Sequence, residues 1–327
     1  MRTKQFHKII SQFSSRTILI VGDVMLDAYL WGDAERISQE APVPVIHVNR
    51  SNYSPGGAGN VALNLAALSA NPVIIGSIGE DNHGRILLDK MKNSGIDTEN
   101  MIIDSDVLTT VKTRVIAHNQ QVVRVDEESR ESISSSIQNK IMERIQEILP
   151  KCDAVILEDY NKGLFSESLI KDIIHVSNQQ NVPVYVDPKQ DNFNIYAGVR
   201  FFKPNSYEFS FYFGKEFDEE QFESFGKKFR DETKIDLLMV TRGEKGMQIF
   251  SKDESITIPT KARKVHDVSG AGDTVISTFT LADICGATPQ EAAILANYAA
   301  GRVCEEVGVV PITLQMLEEM ISHHHGS

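Results

Sequence analysis

The chain has 327 residues, of which 41% are hydrophobic and 24% are charged. This composition is that of an ordinary folded protein with enough apolar residues for a large core. Its 33 basic and 45 acidic residues give a net charge of −12, which argues against broad binding of nucleic acids or anionic membranes. No apolar run is long enough to cross a membrane and no signal-peptide core is present, so we expect a cytoplasmic protein.

The cysteines and the histidine run give no indication of a metal site. Cys152, Cys285 and Cys304 are scattered without metal-ligand spacing, which is typical of reduced thiols in a cytosolic protein. Residues 323–327 read HHHGS, and we interpret them as the remnant of an expression tag. Residues 1–322 are predicted to form a single domain, because no repeat, low-complexity tract or linker divides them.

The N-terminal part of the chain predicts a buried strand followed by part of a lid. Residues 17–21 are β-branched and aliphatic, and Asp23 comes shortly after them. Because ligands of open α/β sheets lie beyond the carboxyl ends of the strands, Asp23 is a candidate for binding sugar hydroxyls, and a turn or cap residue is the equally weighted alternative. Residues 29–54 contain two prolines and are predicted to lie outside the main sheet, as a pair of short strands.

Residues 55–68 place several glycines ahead of an apolar helix. Gly56, Gly57 and Gly59 predict a tight loop, and Asn60 is a candidate either for capping the helix or for binding a ligand hydroxyl. A dinucleotide-binding fingerprint needs its glycines directly after the first strand, where this chain has only Gly22. A dehydrogenase is therefore the least favoured class.

Residues 107–126 predict a second lid segment. Two alternating runs, residues 109–117 and 121–126, are typical of a hairpin. They carry Lys112, Arg114 and Arg124, of which the first two share a face because strand side chains alternate. In so acidic a chain, clustered cations indicate an anionic group on the substrate. Solvated edge-strand charges that discourage aggregation are the alternative.

The middle of the chain predicts a βαβ series with its active rim on one side. Strands are predicted near residues 154–157, 182–186 and 199–202, and each ends in charged or amide residues. Helical segments separate them, so the sheet is expected to be mainly parallel and the fold class to be α/β. Residues 237–241, 246–250 and 256–259 predict an antiparallel edge.

The segment HDVSGAGDT, residues 266–274, predicts a loop that leads into a helix N-terminus. Gly270 and Gly272 let a ligand approach bare backbone, and free amides at the positive end of the helix dipole attract phosphate oxygens. Such a ligand would repel Asp273 unless this residue takes a proton from the hydroxyl that attacks the phosphate. We interpret Asp273 as that base, and the alternative is an aspartate that only complements the helix dipole.

Taken together, the motifs resemble the ribokinase-like (PfkB) sugar kinases over essentially the whole chain. Four segments carry this resemblance in the same order, PGGAGN, KPNSYE, TRGEKG and HDVSGAGDT. The resemblance implies an α/β fold, namely a three-layer αβα sandwich with a mainly parallel central sheet and a small β lid. A closer similarity is to the branch of the family that uses ATP to phosphorylate the anomeric hydroxyl of a heptose 7-phosphate. This closer similarity is carried by four segments of the chain, GDVMLD, HNQQVVRVD, DYNKG and DPK.

The resemblance implies roles for the residues of the substrate site. Asp273 would be the base, and an ordinary aspartate with a pKa near ~4 is already ionised at neutral pH. The anion hole would be formed by the amides of Gly270, Ala271 and Gly272. Sugar hydroxyls would be bound by Asp23, Gly56, Gly57 and Asn60. The candidates for contacting the substrate phosphate are Lys112, Arg114, Arg124, Lys162 and Lys189.

The resemblance also implies ATP and Mg²⁺ as cofactors. The nucleotide would be surrounded by Thr241, Arg242, Gly243 and Asn297, with Asn205 and Glu208 near its phosphates and Glu208 acting indirectly on Mg²⁺. Asp267 and Ser269 match a loop that holds K⁺ in many relatives. A homodimer joined through the lid strands is expected, with a small sugar phosphate as substrate and no nucleic-acid or membrane partner. The alternatives are a family member acting on a neutral sugar or fructose phosphate, and a non-catalytic sugar- or nucleotide-binding regulator.

Overall fold

The computed structural model of the protein describes residues 2–118, 120–129, 131–261 and 266–325. The strands are β1 (Thr17–Gly22), β2 (Val24–Ile37), β3 (Pro44–Gly57), β4 (Asn71–Ile75), β5 (Ser77–Gly79), β6 (Ile102–Asp104), β7 (Thr110–Ala117), β8 (Gln120–Glu127), β9 (Ala154–Glu158), β10 (Val184–Asp187), β11 (Phe201–Phe202), β12 (Leu237–Thr241), β13 (Met247–Phe250) and β14 (Ser255–Ile258). The helices are α1 (Arg2–Ile10), α2 (Ala58–Ala67), α3 (Asn82–Asn93), α4 (Ser135–Ile148), α5 (Glu167–Gln179), α6 (Ser206–Phe213), α7 (Glu219–Thr233), α8 (Ala271–Ile284), α9 (Pro289–Val303) and α10 (Leu314–His325).

Eight strands form the central sheet, in the order β14-β13-β12-β11-β10-β9-β1-β4. The pairs are parallel except at one edge, where β12, β13 and β14 are antiparallel as predicted. Strand β1 sends Ile18 and Ile20 into one apolar core, which contains residues of α1, α2, α3, α8, α9 and α10. It sends Leu19 and Val21 into a second core with α4 to α7. Burial of both faces confirms the predicted three-layer αβα sandwich.

Two neighbouring strands bring acidic residues to one edge of the central sheet, beside the end of β1. The strand register pairs Gly22 of β1 with Glu158 of β9, and Glu158 with Asp187 of β10. Glycine is required at position 22 because a Cβ there would lie 2.5 Å from the Glu158 carbonyl oxygen. The carboxylates of Glu158 and Asp187 therefore lie side by side at the carboxyl ends of parallel strands, where ligands of α/β sheets bind.

A second sheet has the order β3-β2-β7-β8, and we call it the lid sheet. Strands β2 and β3 have 14 residues each, so the prediction of short strands over residues 29–54 was wrong. Pro44 did not shorten the hairpin because it is the first residue of an edge strand, where a missing amide costs no ladder bond. The predicted second lid segment corresponds to β7 and β8, and residue 119 lies outside the described residues.

Two of the connections between the lid sheet and the central fold are very short. Strand β2 follows β1 after the single residue Asp23. Strand β3 leads directly into α2, which begins at Ala58. The second lid segment is a hairpin in which β7 pairs in parallel with β2 and antiparallel with β8.

Several other predictions can be compared with the structure. Residues 71–79 are apolar enough to predict one strand around residues 73–77, but the structure has two strands there, β4 and β5, which lie in different sheets. Helix α10 continues through residues 323–325, which were interpreted as a tag remnant. The three cysteines are free, as predicted. Among the helices of the described ranges, none has both the length and the apolar character needed to cross a membrane.

Candidate active site

The candidate base lies at the N-terminus of helix α8. Gly270 is the N-cap residue and has a φ of 77°, a left-handed conformation that favours glycine. Within the described ranges, the amides of Gly270 and Gly272 have no hydrogen-bond partner, whereas the Ala271 amide donates to the Val268 carbonyl at 3.2 Å. Two free amides at the positive end of the helix dipole form a seat for an anion. Asp273, which is 4% exposed, lies in the same turn.

Both carboxylate oxygens of Asp273 accept hydrogen bonds. Asn60 Nδ2 donates to Oδ2 at 2.6 Å, and the Tyr160 hydroxyl donates to Oδ1 at 3.0 Å. Asn60 does not cap α2, because the N-cap residue is Gly57 and Asn60 lies in the first turn. Asn64, one turn later, donates to the Asn60 carbonyl at 2.8 Å. The carboxylate is therefore oriented by α2 and by the loop after β9.

The buried position of Asp273 changes its acidity. Burial raises the pKa of Asp273 to about 6, and the charge of Asp187 adds to the increase. The hydrogen bonds from Asn60 and Tyr160 and the charge of Lys203 lower this pKa, but they do not compensate for burial. From the sequence we expected the pKa of an ordinary aspartate, and the difference arises because tertiary packing removes the carboxylate from water.

We expect kcat/KM for the sugar to decrease as the pH falls through about 6. Asp273 must be ionised to accept a proton, and because its pKa in the folded protein is raised to about 6, this form is lost below that pH. The pH dependence of kcat/KM reports the ionisation of the free enzyme, so steady-state rates in a series of buffers measure this limb. An acid limb near ~4, the value of a free aspartate, would contradict the prediction.

Three buried carboxylates meet at the rim of the sheet. Glu158, Asp187 and Asp273 each offer an oxygen within 4.8 Å of the others, and Asp187 Oδ2 is 2.7 Å from Lys203 Nζ. Both oxygens of Glu158 are buried and have no hydrogen-bond partner among the described residues. Burial, together with the charges of Asp187 and Asp273, raises the pKa of Glu158. Carboxylate oxygens that lack a donor fit a divalent cation, and Glu158 and Asp187 are the residues that would hold Mg²⁺.

An indirect role in Mg²⁺ binding was predicted for Glu208, and no role was predicted for Glu158 or Asp187. The sequence did contain a signal for them, since each directly follows a predicted strand whose polar end was noted, and each is the last residue of the observed strand. Glu208 instead forms a capping box with Asn205, whose amide donates to Oε2 at 2.9 Å. Its other oxygen forms an ion pair with Lys189. The roles of Asn205 and Glu208 near the nucleotide phosphates remain predictions.

A cavity of about 500 Å³ lies beside the N-terminus of α8. This volume is within the usual range for small-molecule sites. Three of the residues predicted to surround the nucleotide line it, and two residues of the predicted anion hole do so as well. These five residues are Thr241, Gly243, Asn297, Ala271 and Gly272.

Arg242 was predicted to surround the nucleotide, but its side chain contacts other residues. The guanidinium donates to both oxygens of Glu219 at 2.7 Å and to Gln248 at 3.1 Å. It also lies 4.2 Å from the centroid of the Phe222 ring. Arg242 is not among the residues that line the cavity, and its contact with a nucleotide remains a prediction.

The loop predicted to hold K⁺ is closed by Asp267. Its Oδ1 accepts the Ser269 amide at 2.9 Å, and its Oδ2 accepts the Gly308 amide at 3.2 Å. The Cys304 carbonyl accepts the His266 amide at 2.8 Å. These bonds connect the segment before α8 with the segment after α9. Asp267 and Ser269 therefore lie next to residue 308, and K⁺ binding itself remains a prediction.

Four of the five cations predicted to bind the substrate phosphate are already paired with carboxylates. The pairs are Arg114 with Asp27, Arg124 with Asp126, Lys162 with Glu128, and Lys189 with Glu208. Lys112 alone of the five forms no ion pair with a residue that the structure describes. It is partly buried, which lowers its pKa, and its Nζ lies 4.9 Å from the centroid of the Tyr160 ring. Lys112 is therefore the cation best placed to meet a ligand anion.

The residues predicted to bind sugar hydroxyls also have contacts within the protein. Asp23 Oδ2 accepts the amides of Tyr160 at 2.7 Å and Lys162 at 3.1 Å. Burial raises the pKa of Asp23 to about 7, and the charge of Asp159 adds to this. A Cβ on Gly56 would lie 2.4 Å from Asp27 Oδ2, and a Cβ on Gly57 would lie 2.5 Å from the Asp23 carbonyl oxygen. Gly57 is needed for the close approach of β3 to the backbone of residue 23, and Gly56 leaves room for the Asp27 side chain. The contact of both glycines with a sugar remains a prediction.

The αβα fold, the anion seat on α8 and the buried aspartate beside it define an α/β phosphotransferase. The sequence profile described as "pfkB family carbohydrate kinase" matches residues 15–315, and the chain belongs to this family.

The chain is similar to several curated proteins named "Bifunctional protein HldE". It is 40% identical over 315 residues to that of Desulfatibacillum aliphaticivorans, covering 95% of this chain and 64% of the relative. It is 42% identical over 303 residues to that of Nitratiruptor sp., covering 92% of this chain and 64% of the relative. The chain therefore spans less than two thirds of the length of these relatives.

Solved structures show the same fold at low sequence identity. Arabidopsis thaliana ribokinase in complex with ribose and ATP has a TM-score of 0.74 at 20% identity. Escherichia coli phosphofructokinase-2 in complex with potassium has a TM-score of 0.80 at 16% identity. Each match covers 94% of this chain and 98% of the other. These similarities confirm the ribokinase-like fold.

Proposed function

We propose that this chain uses ATP to phosphorylate the anomeric hydroxyl of D-glycero-β-D-manno-heptose 7-phosphate, giving the 1,7-bisphosphate. This step would serve the synthesis of ADP-heptose for the lipopolysaccharide core. The observation that carries the proposal is Asp273, a buried carboxylate held by Asn60 and Tyr160 at a helix N-terminus. Similarity to proteins named HldE, at 40% and 42% identity, supports the choice of sugar.

In the proposed reaction Asp273 accepts the proton of the sugar hydroxyl as its oxygen bonds to the γ-phosphorus. The bond from this phosphorus to the bridging oxygen breaks, and ADP leaves with that electron pair. The free amides of Gly270 and Gly272 would donate to the phosphoryl oxygens and stabilise their charge. Because phosphoryl transfer has a loose transition state, orientation and charge stabilisation account for most of the catalysis.

Two cations belong to the proposal. Mg²⁺ supplies neutralisation of the nucleotide phosphates when it is bound, and the donor-free oxygens of Glu158, with Asp187 beside them, fit such an ion. The closed loop at Asp267 and Ser269 supports K⁺ as a further cofactor. Rates measured in potassium and in a bulky organic cation would show whether K⁺ is needed.

ADP release with a panel of sugars tests the proposed substrate. The panel contains the heptose 7-phosphate, the free heptose, fructose 6-phosphate and ribose, each with ATP and Mg²⁺. We expect the highest kcat/KM with the heptose 7-phosphate. A higher kcat/KM with fructose 6-phosphate or ribose would identify a different member of the family. Binding of sugar or nucleotide without ADP release would identify a regulator.

Replacement of Lys112 by methionine is expected to raise the KM for the sugar phosphate. The effect should be about tenfold to a hundredfold, because a charge-assisted contact with the phosphate would be lost. The matched control is Arg124→Met, since Arg124 is also a lid cation but is exposed and paired with Asp126. KM for ATP should be unchanged in both variants. Equal effects of the two substitutions on KM for the sugar phosphate would contradict the role of Lys112.

We also propose that two copies of the chain associate through the lid sheets. Strands β3 and β8 are the edges of this sheet. Strand β8 is exposed along its length and carries Val122, Val123 and Val125, and long apolar edges tend to pair. Light scattering at micromolar concentration is expected to give the mass of a dimer. A monomer under these conditions would contradict the proposal.

A further inference from the structure

Tyr160 was not among the predicted site residues, but it contacts groups from several parts of the site. Its hydroxyl donates to Asp273 Oδ1 at 3.0 Å. Its ring centroid lies 4.9 Å from Lys112 Nζ and 4.8 Å from Lys189 Nζ. Its amide donates to Asp23 at 2.7 Å. One residue thus connects the candidate base with a cation of the lid sheet and with a cation of the rim.

The hydroxyl of Tyr160 fixes the orientation of the Asp273 carboxylate. A buried carboxylate is costly unless its oxygens accept hydrogen bonds, and Asp273 has one side-chain donor on each oxygen. The bond from Asn60 alone would leave the carboxylate plane free to turn about that contact. The second bond, on the other oxygen, removes this freedom. Each oxygen retains a lone pair with which it can accept a substrate proton.

The ring of Tyr160 holds Lys112 without neutralising it. Ammonium groups are attracted to the face of an aromatic ring, and this attraction leaves their positive charge available to an anion. Lys189 lies near the same ring, but it is also paired with Glu208. Lys112 has no such carboxylate among residues 2–118, 120–129, 131–261 and 266–325. An anion bound by Lys112 would therefore fix the ammonium against the ring whose hydroxyl holds Asp273.

We propose that Tyr160 is a positioning residue that couples recognition of the substrate phosphate by Lys112 to the orientation of Asp273. This inference rests on the proposed function in so far as the substrate is a phosphorylated sugar. The coupling affects kcat as well as KM, because the bound phosphate fixes the position of Tyr160, and Tyr160 orients Asp273. A substrate without the phosphate lacks this effect even when it is saturating.

Two substitutions of Tyr160 separate the hydroxyl from the ring. Tyr160→Phe keeps the ring, so we expect KM for the heptose 7-phosphate to stay within about twofold while kcat falls about tenfold to a hundredfold. Tyr160→Leu removes both contacts, and KM should then also rise about three- to thirtyfold because Lys112 loses its aromatic partner. The ratio of kcat for the heptose 7-phosphate to kcat for the free heptose should decrease in Tyr160→Leu.

A matched control is the bond between Tyr185 of β10 and Asp283, which lies at the other end of α8 from Asp273. The Tyr185 hydroxyl donates to Asp283 at 2.6 Å, and Asp283 lies roughly 15 Å along α8 from Asp273. Tyr185→Phe therefore removes the same kind of bond from the same helix without touching the site. We expect kcat and KM of this variant to equal those of the wild type. Thermal melting of all three variants shows whether each is folded.

The possible outcomes distinguish this inference from the proposed function. If the wild type phosphorylates the heptose 7-phosphate and Tyr160→Phe has an unchanged kcat, or loses no more than Tyr185→Phe, the inference is overturned and the function stands. If the wild type prefers another phosphorylated sugar, the heptose assignment fails and the same comparison on that sugar decides the role of Tyr160. If the preferred substrate is a neutral sugar, the coupling through Lys112 is overturned.

Discussion

Replacement of Asp273 by asparagine is expected to reduce kcat by about a thousandfold or more, the range seen when a general base is lost. Asparagine has nearly the same shape and can still accept a hydrogen bond from Asn60 or Tyr160, but it cannot take a proton from the sugar hydroxyl. KM for ATP should change little, because the carboxylate does not line the cavity that we propose for the nucleotide. Steady-state ADP release measures both quantities.

The same substitution carries its own control for folding. Because burial raises the pKa of Asp273 to about 6, ionisation of this carboxyl group at neutral pH costs free energy in the folded protein relative to the unfolded chain. This cost is present above the raised pKa and disappears as the pH falls through the usual value for aspartate. The neutral Asp273→Asn variant should therefore melt at neutral pH at no lower temperature than the wild type. Activity within about threefold of the wild type would remove Asp273 from the role of base.

Replacement of Gly272 by valine is expected to reduce kcat by about a hundredfold or more, comparable to the loss of an oxyanion donor. A Cβ at this position would lie 3.4 Å from Lys203 Nζ and 3.6 Å from Asp187 Oδ2. An alanine methyl fits at these distances, whereas the two methyl groups of valine extend into the space where the phosphoryl group would lie. Gly272→Ala is therefore expected to keep a kcat close to that of the wild type, and the loss of kcat is expected in Gly272→Val.

The alanine variant is the matched control for Gly272→Val, because it tests the change of residue without filling the site. The φ of Gly272 lies outside the left-handed region, so neither substitution strains the backbone. Melting temperatures close to that of the wild type are expected for both. A valine variant that is folded and fully active would show that the phosphoryl group does not pass this end of α8.

The sequence predicted the strands of the central sheet better than those of the lid sheet. Strands buried on both faces are continuous apolar runs, so β1 and β9 were located to within one residue. The lid hairpin is only partly buried, and its residues do not alternate clearly. Its prolines exclude a helix but do not define the strand ends, since Pro44 begins an edge strand and that position depends on the order of strands in the sheet.

The local part of the site was predictable, and the long-range part was not. Asp273 and the glycines before it lie within one short segment, so their proximity and their chemistry could be predicted from the sequence alone. Glu158 and Asp187 come together only because β9 and β10 are neighbours in register. The contact of Tyr160 with Asp273 likewise depends on the packing of the loop after β9 against α8.

Charge alone was an incomplete guide to the phosphate site. Lys162 and Lys189 were candidates because they are cations near polar strand ends, and nothing in their neighbouring sequence revealed Glu128 and Glu208 as partners. The residues next to Lys112 in the chain likewise did not reveal whether it has a carboxylate partner. Its lack of a carboxylate partner among the described residues is a property of the fold, and this property distinguishes Lys112 from the other four candidates.

The direct connection between the two sheets has a mechanical consequence. Any tilt of β2 acts on Asp23, whose carboxylate holds the amides of Tyr160 and Lys162. Any tilt of β3 acts on the first turn of α2, where Asn60 holds Asp273. Both connections lead to the Asp273 carboxylate, so a tilt of the lid sheet at β2 or β3 is expected to shift the candidate base as well.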